Sequence, residues 1–149
     1  YVNNLLCNES ISCMFVTVFY AIINLKTGKL SYANAGHNPP YILRQNETIE
    51  AIPSTGDTIL GVFEDQQFET ASIQIQPTDS VLLFTDGVTE AFNNQSEAYG
   101  ESRLEPLLRQ LGNKNATEVV KEIVGDVTTF VDGAPQSDDI TMLCLKYNG

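Results

Sequence analysis

Basic side chains are scarce in this sequence, and their scarcity excludes one large class of functions. Lys and Arg together number 8 against 19 Asp and Glu, which leaves a formal net charge of −11 over 149 residues. A nucleic-acid-binding surface needs a basic patch, so we expect no nucleic-acid partner. The simplest interpretation of this acidity is solubility. A sharper hypothesis is that some of the carboxylates are gathered to hold cations.

Cysteines and long apolar runs are also sparse. The three cysteines, Cys7, Cys13 and Cys144, include no C-x-x-C pair, so neither a disulfide framework nor a zinc site is predicted, and we expect reduced, buried thiols. Uninterrupted apolar runs, such as residues 81–84, are far too short to span a membrane, and no basic-then-apolar signal segment opens the chain. We therefore expect a cytoplasmic protein without membrane contact.

The hydrophobic pattern predicts one α+β domain with many antiparallel strands, two C-terminal helices and a returning final strand. Residues 14–25 and 30–36 read as a long hairpin, whose first strand is apolar on both faces and is therefore expected in the interior of a layered fold and not on an open edge. The first residue is Tyr1 rather than Met, so we also expect a piece of a longer polypeptide. Further strands are predicted at 41–44, 48–52, 68–75, 80–85 and 140–146, and helices at 101–111 and 116–131, the second capped by Thr117.

Acidic residues stand next to two of these apolar strands. Asp86 follows the run Val81 to Thr85, and Asp138 and Asp139 precede the run Ile140 to Leu143. A buried carboxylate is costly unless it is paired, hydrogen-bonded or bound to a metal, and the few Lys and Arg residues cannot pair them all. Carboxylates on rigid elements are the ligands that hard divalent cations prefer, and Gly87 would provide the sharp turn and the space beside Asp86.

A purely structural interpretation of these residues remains open. Asp86 could cap a short helix over residues 88–92, and the Asp138-Asp139 pair could form an Asx turn before the last strand. His37 lies in the stretch AGHNPP, where a lone histidine beside Gly and Pro is more often a hydrogen-bonded turn residue than a ligand or general base. We expect that structural role for His37 and predict no catalytic side chain.

Five segments, taken in order, resemble one family. They are MFVTVFYAIINLKTGKLSYANAGHNPPYIL, LGVFEDQQFE, DSVLLFTDGVTEAFN, YGESRL and QSDDITMLCLKY. Together they resemble the metal-dependent serine/threonine protein phosphatases of the PPM superfamily, in the bacterial branch that contains SpoIIE and the sigma-factor-regulator phosphatases. The resemblance runs over nearly the whole chain.

The resemblance implies an α-β-β-α sandwich with two central antiparallel sheets and a two-metal site that holds Mn²⁺ or Mg²⁺. It implies that Asp86 and Asp138 are metal ligands, that Asp139 coordinates through water, and that Gly87 supports the turn. The implied reaction is direct attack of a metal-activated water on phosphoserine or phosphothreonine. The implied substrate is a phosphorylated anti-sigma-factor antagonist, and the implied context is bacterial signalling, with an upstream sensor or regulatory domain.

The sequence departs from the family pattern at its beginning. The family carries an earlier G-D-x-Y-D-like motif and a D-x-S-G-H-G-like motif, and neither occurs here. We therefore expect residues 1–149 to form a single phosphatase domain that is incomplete at its N-terminus, holds only part of the metal site and self-associates through exposed sheet edges. The alternative hypothesis is a degenerate, non-catalytic module that binds a partner protein.

Overall fold

The computed structural model describes residues 1–9 and 15–149, so the predictions for Cys13 and for the start of the first strand at Met14 lie outside the described residues. The chain divides into two compact units, which we describe separately. Residues 1–39 and 53–74 form the first unit, and residues 40–52 and 75–149 form the second. No helix in the described ranges is long and apolar enough to cross a membrane.

The described residues of the first unit form one helix and a three-stranded antiparallel sheet. The helix α1 (Val2–Glu9) is joined to a later loop by buried Asn3, which donates to the Phe63 carbonyl and accepts from the Gly61 amide. The strands of the sheet are β1 (Val18–Ile23), β2 (Lys29–Ala35) and β5 (Ala71–Gln74). Their order in the sheet is β1-β2-β5. The β1-β2 pair confirms the predicted long hairpin, and β5 confirms the core of the strand predicted at 68–75.

The predicted interior position of the first strand is wrong. Among the described residues, strand β1 has a single neighbour in the order β1-β2-β5 and lies at an edge. Tyr20 and Ile22 are 62% and 60% exposed, whereas Phe19 stacks on Tyr32 with ring centroids 5.5 Å apart. Apolar composition on both faces of a strand therefore does not establish that both faces are covered within the same chain.

The second unit contains a four-stranded antiparallel sheet and two helices. The strands are β3 (Tyr41–Leu43), β4 (Ile49–Ala51), β6 (Ser80–Phe84) and β7 (Met142–Lys146), and the helices are α2 (Glu101–Gln110) and α3 (Ala116–Val131). The order of the strands in the sheet is β4-β3-β6-β7. These elements confirm the second hairpin, both helices and the final strand. Together with the first unit they confirm the α+β class with two antiparallel sheets.

One face of this sheet packs on both helices, as alternate strand residues share a face. The buried sheet residues Tyr41, Leu43, Leu82 and Phe84 belong to the same core cluster as Leu104, Leu108, Val119, Ile123 and Val127 of the helices. Tyr41 stacks on Phe84. Half-buried Cys144 packs against the cluster from β7, and it and half-buried Cys7 are free thiols. This core holds β6 and β7 firmly at the positions where the acidic residues follow or precede them.

The start of α3 differs from the sequence prediction. Asn115, not Thr117, is the N-cap, because its side chain accepts from the Glu118 amide at 2.9 Å and Glu118 accepts from the Asn115 amide at 3.0 Å. This reciprocal pair is a capping box. The signal was present in the sequence as Asn followed three residues later by Glu.

Candidate functional site

Asp86 is presented by a turn that begins where β6 ends. The Thr85 amide still donates to the Thr141 carbonyl of the neighbouring chain segment at 3.0 Å, after which the amides of Val88 and Glu90 donate to the carbonyls of Thr85 and Asp86 at 3.1 and 2.7 Å. The short helix over residues 88–92, which the purely structural interpretation of Asp86 required, is therefore absent, since residues 86–90 form turns. Val88 is buried in the core cluster, which anchors the turn and leaves the Asp86 side chain exposed.

Asp138 and Asp139 lie on the segment that leads into β7. The Asp139 amide donates to the Asp138 Oδ1 at 2.7 Å, a bond to the next residue, whereas an Asx turn bonds the backbone two residues further on. Gln136 Nε2 donates to the Asp138 carbonyl at 2.8 Å. Both aspartates are exposed.

Gly87 is in direct contact with this second acidic segment. A Cβ atom at Gly87 would lie 2.4 Å from the Asp139 carbonyl oxygen and 2.9 Å from the Asp139 carbonyl carbon. Any other residue would force the two segments apart, because real side chains do not approach backbone atoms so closely. The fold thus brings the chain beside Asp86 against the backbone of Asp138 and Asp139.

Thr85 also links these two segments, although the sequence pattern did not single it out. We call the contact of residues 85–87 with residues 138–141 the acidic junction. The Thr85 hydroxyl donates to the Asp139 carbonyl at 2.9 Å and accepts from the Thr141 amide at 3.0 Å. The signal in the sequence was a hydroxyl residue that ends an apolar strand directly before Asp86. Ser137 was missed as well; its hydroxyl donates to the Glu90 carbonyl at 2.7 Å and joins the loop to the turn.

The three aspartates are not buried, although the sequence-based hypothesis assumed that they are. Asp86, Asp138 and Asp139 are all exposed, so no desolvation cost has to be offset by a partner. Within residues 1–9 and 15–149, the ion pairs link Arg44 to Glu50 and Asp79, and Arg109 to Glu105, and include none of these three aspartates. Among the described residues, none of these three carboxylates forms an ion pair with a Lys or Arg side chain.

The oxygen donors present have the chemistry that Mg²⁺ or Mn²⁺ requires. However, in the described part of the chain no group of three or more His, Cys, Asp or Glu side chains is arranged to hold a metal ion. The junction therefore fits a contribution of individual ligands and does not by itself fit a complete two-metal centre.

His37 is a turn residue, as expected. Its amide donates to the Asn34 Oδ1 at 2.8 Å, its carbonyl accepts from Asn34 Nδ2 at 2.9 Å, and its ring Nδ1 lies 3.2 Å from the Thr17 hydroxyl. Asn34 is buried, so these bonds satisfy a polar side chain inside the first unit.

Comparison with known families identifies the family of this chain. The family model described as Stage II sporulation protein E (SpoIIE) matches residues 1–148. The chain belongs to the SpoIIE family. SpoIIE-family relatives among characterised proteins include Protein IcfG of Synechocystis sp., 36% identical over 91% of this chain and 21% of that protein. Phosphoserine phosphatase RsbU of Bacillus subtilis is 28% identical over 89% of this chain and 39% of its own length.

Solved structures show that the fold is shared with known phosphatase domains. The SiaA-PP2C domain of Pseudomonas aeruginosa matches 97% of this chain and 57% of that chain with a TM-score of 0.82 at 18% identity. The phosphatase domain of Bacillus subtilis SpoIIE, in a structure described as Mn presoaked, matches 99% of this chain and 63% of that chain with a TM-score of 0.73 at 17% identity. The fold is that of a PP2C phosphatase domain, and this SpoIIE-family chain spans less than two thirds of these relatives.

Proposed function

We propose that this chain is part of a metal-dependent phosphatase that hydrolyses phosphoserine or phosphothreonine in a protein. The observation that carries the proposal is the contact of Gly87 with the backbone of Asp139, which joins the segments of Asp86 and Asp138 in a SpoIIE-family chain. The relatives RsbU and RsbP are both named phosphoserine phosphatases, which supports the same reaction here.

In this proposal the three aspartates have distinct roles. Asp86 and Asp138 are metal ligands, Asp139 coordinates through water, and Gly87 provides the space that lets the two segments meet. The metals are Mn²⁺ or Mg²⁺, which suit exposed carboxylate oxygens. Two such ions would lower the pKa of a bound water and neutralise phosphate charge.

The charge of the junction supports a requirement for cations. The open depression beside the aspartates is lined, among the described residues, by Gln136, Ser137, Asp138 and Asp139, with neither Lys nor Arg. A phosphate dianion would be repelled by these carboxylates and by a net charge of −11. Bound divalent cations reverse the local sign and make such a site able to accept a phosphorylated residue.

The substrate we propose is a phosphorylated protein of the anti-sigma-factor-antagonist type, dephosphorylated in the cytoplasm as part of bacterial signalling. A sensor or regulatory domain that precedes the phosphatase domain would control the reaction. The names of RsbU and RsbP as phosphoserine phosphatases support a phosphorylated substrate, and the anti-sigma-factor-antagonist type follows from the family resemblance of the five sequence segments.

A manganese-dependent phosphatase assay on the full-length protein tests the proposal. The variants Asp86→Asn and Asp138→Asn keep the size of each side chain and remove its charge. We expect each to lower kcat on a phosphoserine peptide by about 100-fold or more, because losing a metal ligand costs several kcal/mol of transition-state stabilisation.

The matched control is Asp132→Asn. Asp132 lies in the loop that leads to Asp138, is exposed, and has a left-handed backbone with φ 47°, a conformation that Asn also tolerates. Turnover that is unchanged in both ligand variants would refute the proposed site. Absence of metal-dependent turnover in the unmodified protein, together with retained phosphoprotein binding, would favour the non-catalytic binding module.

A further inference from the structure

The second unit contains an apolar cleft next to the acidic junction. We use the name apolar cleft for the cavity of about 280 Å³ whose lining includes Gly87, Phe92, Val131, Pro135, Ser137 and Ile140. Buried Ala91 and Val127 belong to its lining and to the core cluster. Phe92 and Ile140 are 41% and 36% exposed, so two large apolar side chains of the lining face solvent.

The wall of the apolar cleft is held in place by hydrogen bonds. Residues 132–137 connect the end of α3 to the acidic segment. This loop is tied to the rest of the unit by Asn94 Nδ2, which donates to the Asp132 carbonyl at 2.9 Å, and by Ser137 Oγ, which donates to the Glu90 carbonyl at 2.7 Å. The Ala134 amide donates to the Val131 carbonyl at 3.1 Å. The cleft is thus preformed, which lowers the entropic cost of binding.

The apolar cleft is continuous with the acidic junction. Gly87, which contacts the backbone of Asp139, is one of its lining residues. Gln136 and Ser137 line both the cleft and the open depression that contains Asp138 and Asp139. A ligand bound at the carboxylates therefore has the cleft directly beside it.

We propose that the apolar cleft binds a large apolar side chain of the phosphoprotein substrate close in sequence to the phosphorylated residue, because the cleft shares Gln136 and Ser137 with the depression that contains Asp138 and Asp139. This inference rests on the proposed function and adds a specificity determinant to it. The site would select substrates by a buried anchor side chain, the usual source of affinity in a small recognition surface.

Size and charge favour this occupant over others. The volume of about 280 Å³ is at the lower end of ligand pockets, which span about 300–1,000 Å³, and suits one side chain better than a complete metabolite. A second copy of the chain would need about 800 Å² per partner, far more than one cleft offers. The described lining contains no Asp, Glu, Lys or Arg, so an apolar side chain is complementary to it.

The test measures affinity and turnover separately on the full-length protein with manganese. Short peptides carry a central phosphonate analogue of phosphoserine, which cannot be hydrolysed, and have either leucine or serine at each of the flanking positions. We expect leucine at one position to bind at least about tenfold more tightly than serine, as expected when an apolar pocket is filled. Fluorescence anisotropy gives both affinities.

Two variants and a control identify the cleft as the source of that preference. Ala134→Phe fills the cleft and should bring the leucine-to-serine affinity ratio close to one, while Phe92→Ala removes a rim side chain and should lower the ratio severalfold. Ala51→Phe makes the same change at an exposed position of β4 and should keep the ratio. Thermal melting of each variant verifies folding.

The possible results separate this inference from the proposed function. Equal affinity for leucine and serine peptides at every position would overturn the inference. Equal affinity is also the result expected if another segment or a second copy of the chain occupies the cleft. A preference that persists in Ala134→Phe and Phe92→Ala would also overturn it. Hydrolysis of the same peptides with phosphoserine in place of the phosphonate tests the phosphatase proposal independently. If no hydrolysis occurs, the leucine-to-serine affinity ratio still tests whether the cleft binds an apolar side chain.

Discussion

Because Gly87 has no side chain, two chain segments can approach each other closely. Its backbone is not among the positive-φ glycines, so the turn itself does not require glycine there. What requires it is the approach of the Asp139 carbonyl, 2.4 Å from the position a Cβ would take. Gly125 on α3 offers the opposite case, because a Cβ there would meet nothing within 4 Å.

At the residue scale we predict that Gly87→Ala destabilises the protein by about 1–3 kcal/mol, the usual cost of overpacking, and displaces the segment of Asp138 and Asp139. Urea denaturation measures the stability change, and the phosphatase assay should show reduced turnover. Gly125→Ala, at an exposed helical position, should instead gain about 0.5–1 kcal/mol. Equal stability of Gly87→Ala and the unmodified protein would mean that the close contact is absent.

At the scale of elements, α3 connects the core to the apolar cleft. Its buried side chains Val119, Ile123 and Val127 pack into the core cluster, and Val127 also lines the cleft. The capping box of Asn115 and Glu118 satisfies amides at the start of this helix. A short polar residue two positions earlier than the predicted cap therefore determines where the helix begins.

We predict that Asn115→Ala lowers the free energy of unfolding by about 0.5–2 kcal/mol, the typical value of a lost N-cap. Thr117→Ala should change it by less than about 0.5 kcal/mol, because Thr117 is exposed and is not the cap residue. Chemical denaturation of both variants under the same conditions checks the comparison. A larger loss of stability in Thr117→Ala than in Asn115→Ala would indicate that Thr117 is the N-cap residue, as the sequence pattern predicts.

At the scale of the whole molecule, two properties have opposite effects on self-association. A net charge of −11 keeps copies of the chain apart through mutual repulsion. The edge strand β1 exposes Tyr20 and Ile22, and an exposed apolar edge strand favours pairing with another chain. Salt screens the repulsion without weakening the apolar attraction, so ionic strength decides the balance.

The expected outcome is that this chain of 149 residues self-associates, and does so more strongly as salt increases. Light scattering over a range of concentrations and salt measures the association. Ile22→Lys places a charge on the β1 edge and should shift the population to monomer. A chain that stays monomeric at high concentration and high salt would contradict the expectation.

The sequence alone determined the elements and the chemistry of the candidate site. Apolar alternation and helical spacing located both hairpins, both C-terminal helices and the last strand, because these patterns depend on local periodicity. The position of Asp86 after one apolar strand and of Asp138 before another identified the candidate carboxylates from context. The family resemblance was likewise a property of the sequence and is confirmed by the match over residues 1–148.

Only the tertiary structure decided which of these residues meet. The antiparallel pairing of β6 with β7, with Phe84 opposite Met142, brings the end of one strand beside the start of the other, and the Gly87 contact then joins the acidic segments. Exposure of the three aspartates, the edge position of β1 and the apolar cleft were equally beyond reach of the sequence. Each depends on contacts between residues far apart in the chain, which local periodicity does not encode.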